Sequence, residues 1–126
     1  MNRILHFISL TMLLLVSCQK EQFRDTLSEI QGQWQWVETY GGISGEHYTP
    51  ATEHINKSMT IQGYNLKYYE NNFLKFQSGF ELVLREPDQT IIRLGDKTEY
   101  VIEWEGNTLV LVEPCIDCYE HYYVRK

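Results

Sequence analysis

In Trp34-Gln35-Trp36-Val37-Glu38-Thr39-Tyr40, aromatic residues alternate with polar ones at a period of two. Successive side chains of a strand point to opposite faces, so this period puts an aromatic row on a core and a polar row in solvent. Similar β-rich runs recur downstream at 58–62, 66–70, 73–77, 80–85, 90–94, 99–104, 108–113 and 119–125. Turn formers separate them: Gly63-Tyr64-Asn65, Asn71-Asn72, Ser78-Gly79, Pro87-Asp88, Gly95-Asp96-Lys97 and Gly106-Asn107. Gly and Asn accept the positive φ of tight hairpins, and Pro presets the first turn residue.

Eight or nine short strands joined this way, with no helix long enough for a parallel crossover, predict an all-β, antiparallel up-and-down meander. Closing such a sheet removes its edges, so the expected architecture is an eight-stranded β-barrel. Ahead of it, Leu27 and Ile30 behind Asp25-Thr26 predict one or two turns of helix, capped by Asp25 or Thr26 and ended by Gly32. One long loop, 41–57, carries Gly41, Gly42, Gly45 and Pro50.

The N-terminus has another character. Met1-Asn2-Arg3 precedes an apolar run of 13 residues, Ile4 to Val16, and then Ser17-Cys18, the three-part layout of a secretory signal. The run is too short for a spanning helix, which needs roughly 20 apolar residues. Leu15-Val16-Ser17-Cys18 resembles the bacterial lipobox, which implies cleavage after residue 17 and a lipidated Cys18. Several acyl chains on one residue, at about 0.8 kcal/mol per buried CH₂, would hold the protein to a membrane. The expected organisation is a lipoprotein signal peptide at 1–17, a lipidated tether at 18–24 and a barrel domain at 25–126. Gln19-Lys20-Glu21 is similar to the export tag of surface-displayed lipoproteins, although Gln22 departs from it. The expected location is the bacterial cell envelope, anchored to the outer membrane on its periplasmic or surface face.

Removal of 1–17 takes Arg3 from eleven basic residues and leaves ten against seventeen acidic ones, a net charge of −7. Polyphosphate binding needs clustered cations, so nucleic acid is not an expected partner.

Gly32-Gln33-Trp34, after a short helix, resembles the Gly-x-Trp signature of lipocalins, and Arg125 stands where that family places an arginine. The wider pattern, with Tyr48-Thr49-Pro50, Leu109-Val110-Leu111 and Tyr122-Tyr123-Val124-Arg125, is similar to small lipocalin-like lipoproteins of diderm bacteria. The resemblance implies that Gly32, Trp34 and Arg125 close one end of the barrel, the guanidinium over the indole ring. It also implies a barrel that takes a small apolar ligand. Where that group often has a single cysteine, this chain has Cys115-Ile116-Asp117-Cys118.

In an oxidising envelope that pair reads as a local disulfide. Its alternatives are free thiols, a catalytic redox pair, for which Pro114 and the β-rich flanks offer no helix N-terminus to lower the thiol pKa, or a metal site with His121, which still needs a fourth ligand; nothing in the sequence places His47 and His54 of the long loop nearby. No metal or other cofactor is expected. Trp36, Tyr68, Phe76, Phe80, Tyr100 and Trp104 are the candidate ligand-lining residues, with Phe73, Tyr119 and Tyr123 as further aromatics. The same residues could simply fill an eight-stranded barrel, which is just wide enough to be packed with side chains. Tyr68-Tyr69 and Tyr122-Tyr123 place aromatics on both faces, so parity does not choose.

Ser44 and Ser78 lack a nucleophile elbow, Gly41-Gly42-x-x-Gly45 lacks the lysine of a phosphate loop, and Glu103 and Glu105 read as solvated alternation. No catalytic residue is expected. Two functions remain open: a lipid-anchored barrel that binds a small apolar or amphiphilic ligand, or a filled, non-enzymatic barrel that docks another envelope component.

Overall fold

The computed structural model describes residues 21–126. The expectations for residues 1–17 and for Cys18 lie outside the described residues. Residues 21–30 form a helix, α1. Residues 21–24, expected as tether, are therefore helical, and Asp25 and Thr26 sit inside the helix rather than capping it.

From residue 31 the chain is β. Nine strands follow: β1 (Gly32–Gly41), β2 (Glu46–Tyr48), β3 (Lys57–Gln62), β4 (Asn65–Glu70), β5 (Phe73–Arg85), β6 (Gln89–Leu94), β7 (Glu99–Glu105), β8 (Thr108–Val112) and β9 (Tyr119–Arg125). Each of β3 to β9 pairs antiparallel with its neighbour, and β9 returns to β1. The result is the expected closed, eight-stranded antiparallel barrel, with β2 as a short extra strand on β1. The lower half of β1 pairs with β3, Trp34 opposite Met59, while its upper end pairs with β2, Thr39 opposite Tyr48.

The long loop is more ordered than its composition suggests. It holds β2 and a single helical turn, α2 (Pro50–Glu53), started by a reciprocal cap in which Thr49 and Thr52 bond each other's backbone, with Pro50 in the first turn.

Most turns stand where Gly and Asn put them. Asn71 and Asn72, with φ of 49° and 68°, make the two-residue link between β4 and β5. Ser78-Gly79 is a correction: no turn forms there, and β5 runs unbroken through 13 residues. Gly79 keeps a negative φ, and the local polar groups are engaged across strands, with Gly95 N donating to Ser78 Oγ and Phe80 N to the Tyr64 carbonyl. The strand changes partner at this point, from β4 before Gly79 to β6 after it.

A second correction concerns parity. The register of β1 against β9 slips between Trp36 and Glu38. That bulge flips the alternation, so Trp34 and Trp36 are buried inside, Thr39 follows them inward at 5% exposure, and Tyr40 faces out.

Trp34, Gly32 and Arg125 meet at one end of the barrel. Trp34 is fully buried, the Arg125 guanidinium lies 4.4 Å from its ring centre, and Arg125 Nη1 donates to the Gln31 carbonyl at 2.8 Å. Gly32 has a φ of +119°, and a Cβ there would stand 3.2 Å from that guanidinium. Trp104 leans on Trp34 from β7, ring centres 5.9 Å apart.

Candidate functional site

Above Trp34 the barrel is hollow. A chamber of about 320 Å³ lies among the inward side chains of the barrel strands. Four of the six expected lining residues, Trp36, Tyr68, Phe76 and Tyr100, face it, and Tyr123 joins them from β9. The apolar remainder of the wall is Met59, Leu66, Ile92, Leu94 and Leu111.

Phe80 and Trp104 are corrections. Phe80 lies at the point where β5 changes partner and packs against Tyr64, ring centres 5.7 Å apart, away from the chamber. Trp104 belongs to the closed end and is 39% exposed. Both have the right parity but the wrong height in the barrel, which a period of two does not encode. Phe73 is 71% exposed on the outside.

The polar members of the wall were not foreseen as a group. Lys57 places its ammonium 4.5 Å from the ring centre of Trp36, and Asp96 and Thr98 come from the β6–β7 turn. Opposite them stands His121, inside a chain of hydrogen bonds. Trp36 Nε1 donates to Thr39 Oγ1 at 2.8 Å, Thr39 Oγ1 lies 3.0 Å from His121 Nδ1, and His121 Nε2 lies 3.1 Å from Glu113 Oε1. An indole N–H only donates and a carboxylate only accepts, so in the neutral ring Nε2 carries the proton and Nδ1 accepts from the hydroxyl. A hydroxyl, an imidazole and a carboxylate in line resemble a nucleophile relay. Thr39, however, is buried and does not line the chamber, so the arrangement holds the His121 ring edge-on to Tyr100, ring centres 6.0 Å apart.

The phenols of the interior tyrosines are all shifted in one direction. Burial pushes the Tyr68, Tyr100 and Tyr123 phenols up, and for Tyr68 the bond to Glu70 Oε1 adds to it. All three are therefore protonated donors at neutral pH. Elsewhere, Glu46 accepts from Tyr119 and Tyr48, which together hold its carboxyl below the usual range and tie β2 to β9.

Cys115 and Cys118 stand at disulfide distance, Cα atoms 5.5 Å apart, in the turn before β9. Glu113 offers an oxygen within 4.8 Å of both sulfurs. A paired disulfide has no thiolate to give a metal, and Glu113 is already engaged through Oε1 with His121. His47 stacks on Tyr40 outside the barrel, and His54 ends α2. Glu103 and Glu105 are exposed. Among the described residues, no helix is long and apolar enough to cross a membrane.

No protein-family model, curated protein or solved structure matches the chain in comparison.

Proposed function

We propose that the chain is a lipid-anchored lipoprotein of the bacterial envelope whose lipocalin-like barrel binds a small apolar or amphiphilic ligand. The observation that supports ligand binding is the chamber: about 320 Å³ walled by Trp36, Tyr68, Phe76, Tyr100 and Tyr123, at the lower end of the range for small-molecule sites. An aromatic wall with a few fixed polar groups is the usual chemistry of such a site, the apolar area supplying affinity and the polar groups orientation. Anchoring rests on Leu15-Val16-Ser17-Cys18. The test is native mass spectrometry of the full chain, purified gently from its own cells, before and after denaturing extraction. A reproducible small-molecule adduct lost on denaturation supports the reading; bare protein in both spectra refutes it.

A second reading, docking of another envelope component, is favoured by Ile43 and Ile116, each 92% exposed. They belong to turns that adjoin where Gly41 pairs with Tyr119. Co-purification of one envelope protein, abolished by Ile43→Asp with Ile116→Asp, would favour it over ligand binding.

A further inference from the structure

The chamber contains hydrogen-bond donors that the protein itself does not use. Tyr68 donates to Glu70, but the hydroxyls of Tyr100 and Tyr123 have no hydrogen-bond partner among the described residues. Tyr123 is only 7% exposed, yet no fully enclosed side-chain oxygen or nitrogen lacks a partner. Its hydroxyl therefore opens onto the chamber rather than into packed protein. A phenol that faces the chamber with no acceptor from the protein is a donor left for an occupant's acceptor oxygen. Tyr68, Tyr100 and Tyr123 line the same chamber.

Charge narrows the class of acceptor. Among the described residues the wall itself carries one carboxylate, Asp96, and one ammonium, Lys57, which already lies over Trp36; two further carboxylates stand behind the wall, Glu70 bonded to Tyr68 and Glu113 to His121. A carboxylate ligand would be desolvated among like charges, whereas a carbonyl oxygen accepts the same O–H bonds without that repulsion.

We propose that the chamber takes an uncharged, compact apolar molecule bearing a carbonyl oxygen, a ketone or quinone of about two fused rings, with that oxygen held by the hydroxyls of Tyr100 and Tyr123. The ring system lies against Trp36, Phe76 and Met59. This assignment rests on the ligand-binding reading above and specifies its ligand class.

The test is a matched series, naphthalene, 2-acetylnaphthalene and 2-naphthoate, titrated into the full-length protein in phospholipid nanodiscs against empty nanodiscs, with tryptophan fluorescence as the signal. The ketone is expected to bind about tenfold or more tighter than either of the others, the worth of one to two neutral hydrogen bonds. Tyr100→Phe with Tyr123→Phe removes only two oxygens, and it is expected to bring the ratio of ketone to naphthalene affinity down to about one. Naphthalene binding by the variant shows that it retains its chamber; the single variant Tyr123→Phe serves if the double one does not fold. Equal binding of ketone and naphthalene, tighter binding of naphthoate, or an advantage that survives both Phe substitutions overturns the ligand class while leaving the binding reading standing. Failure of all three probes to bind overturns both.

Discussion

The closure of the barrel depends on one position where no side chain fits. Gly41 has a φ of +143°, and a Cβ built there would stand 2.3 Å from the Cys118 carbonyl oxygen and 2.8 Å from Tyr119 Cα. Both are backbone atoms, one in the turn before β9 and one at the first residue of β9, so neither can rotate away, and the nearer contact is about 1 Å short of ordinary van der Waals distance. Gly41→Ala therefore has two costs: a backbone region nearly reserved for glycine, about 1–3 kcal/mol, and overpacking of similar size. The sum is about 4 kcal/mol. Gly106→Ala is the control, because Gly106 has a φ of +61° with nothing within 4 Å of a Cβ. It should lose only the left-handed backbone preference, roughly 1–2 kcal/mol. Thermal unfolding of both variants isolates the clash, about 2–3 kcal/mol, which should lower Tm by about 8 °C or more beyond the control, at 4–8 °C per kcal/mol for a domain of this size. Thr39 and His121 pair two residues from the clash, so ligand affinity should fall with stability. Equal losses for the two variants would refute the account of how β1 meets β9.

Arg125→Ala should destabilise by about 1–2 kcal/mol in urea, the lower part of the combined range for a ring contact and a charged hydrogen bond, because the guanidinium is partly in solvent. Replacing Cys115 and Cys118 together by Ser reopens a loop with a sequence separation of 3 and should cost about 2 kcal/mol by the chain-entropy relation, measured by the same unfolding curve. The interior phenols make stability sensitive to alkali. Their folded-state values lie above the ordinary tyrosine value of 10.0, so the unfolded chain loses those protons first, and stability is full below pH 10.0 and falls as pH rises past it. Tm against pH and tyrosinate absorbance should show this, with Tyr122, pushed up to about 12 chiefly by burial, titrating late; a flat Tm through that window contradicts it. Finally, Cys18→Ala should move the protein from the membrane to the soluble fraction of fractionated cells and abolish incorporation of labelled palmitate; membrane retention would exclude the lipid anchor.

Much of the chamber was within reach of sequence reasoning, and its failures share a cause. Trp36, Tyr68, Phe76 and Tyr100 were identifiable because aromatic residues at alternate strand positions face a common interior. Phe80 and Trp104 satisfy the same rule but sit at other heights along the barrel, which depends on stagger between strands rather than on sequence spacing. Tyr40 was misplaced because one bulge at 36–38 reverses parity beyond it. The chain from Thr39 to His121 joins residues 82 positions apart, and nothing near either marks the other. His121 did stand out by its spacing from Cys118, but that spacing suggested a metal rather than its actual partner, Glu113.

The sequence by itself determined the class of fold, because the period of two, the hairpin turns and the need to close an unpaired sheet are all local or nearly local demands on backbone geometry. Spacing likewise marked Cys115 and Cys118 as a pair, while the closure by Gly32, Trp34 and Arg125 was what a resemblance implied. Only the tertiary structure decided that the barrel is hollow above Trp34 and which hydroxyls open into that space. Whether side chains fill a barrel depends on volumes opposed across it and on the stagger of its strands, and these are set only when β9 reaches β1.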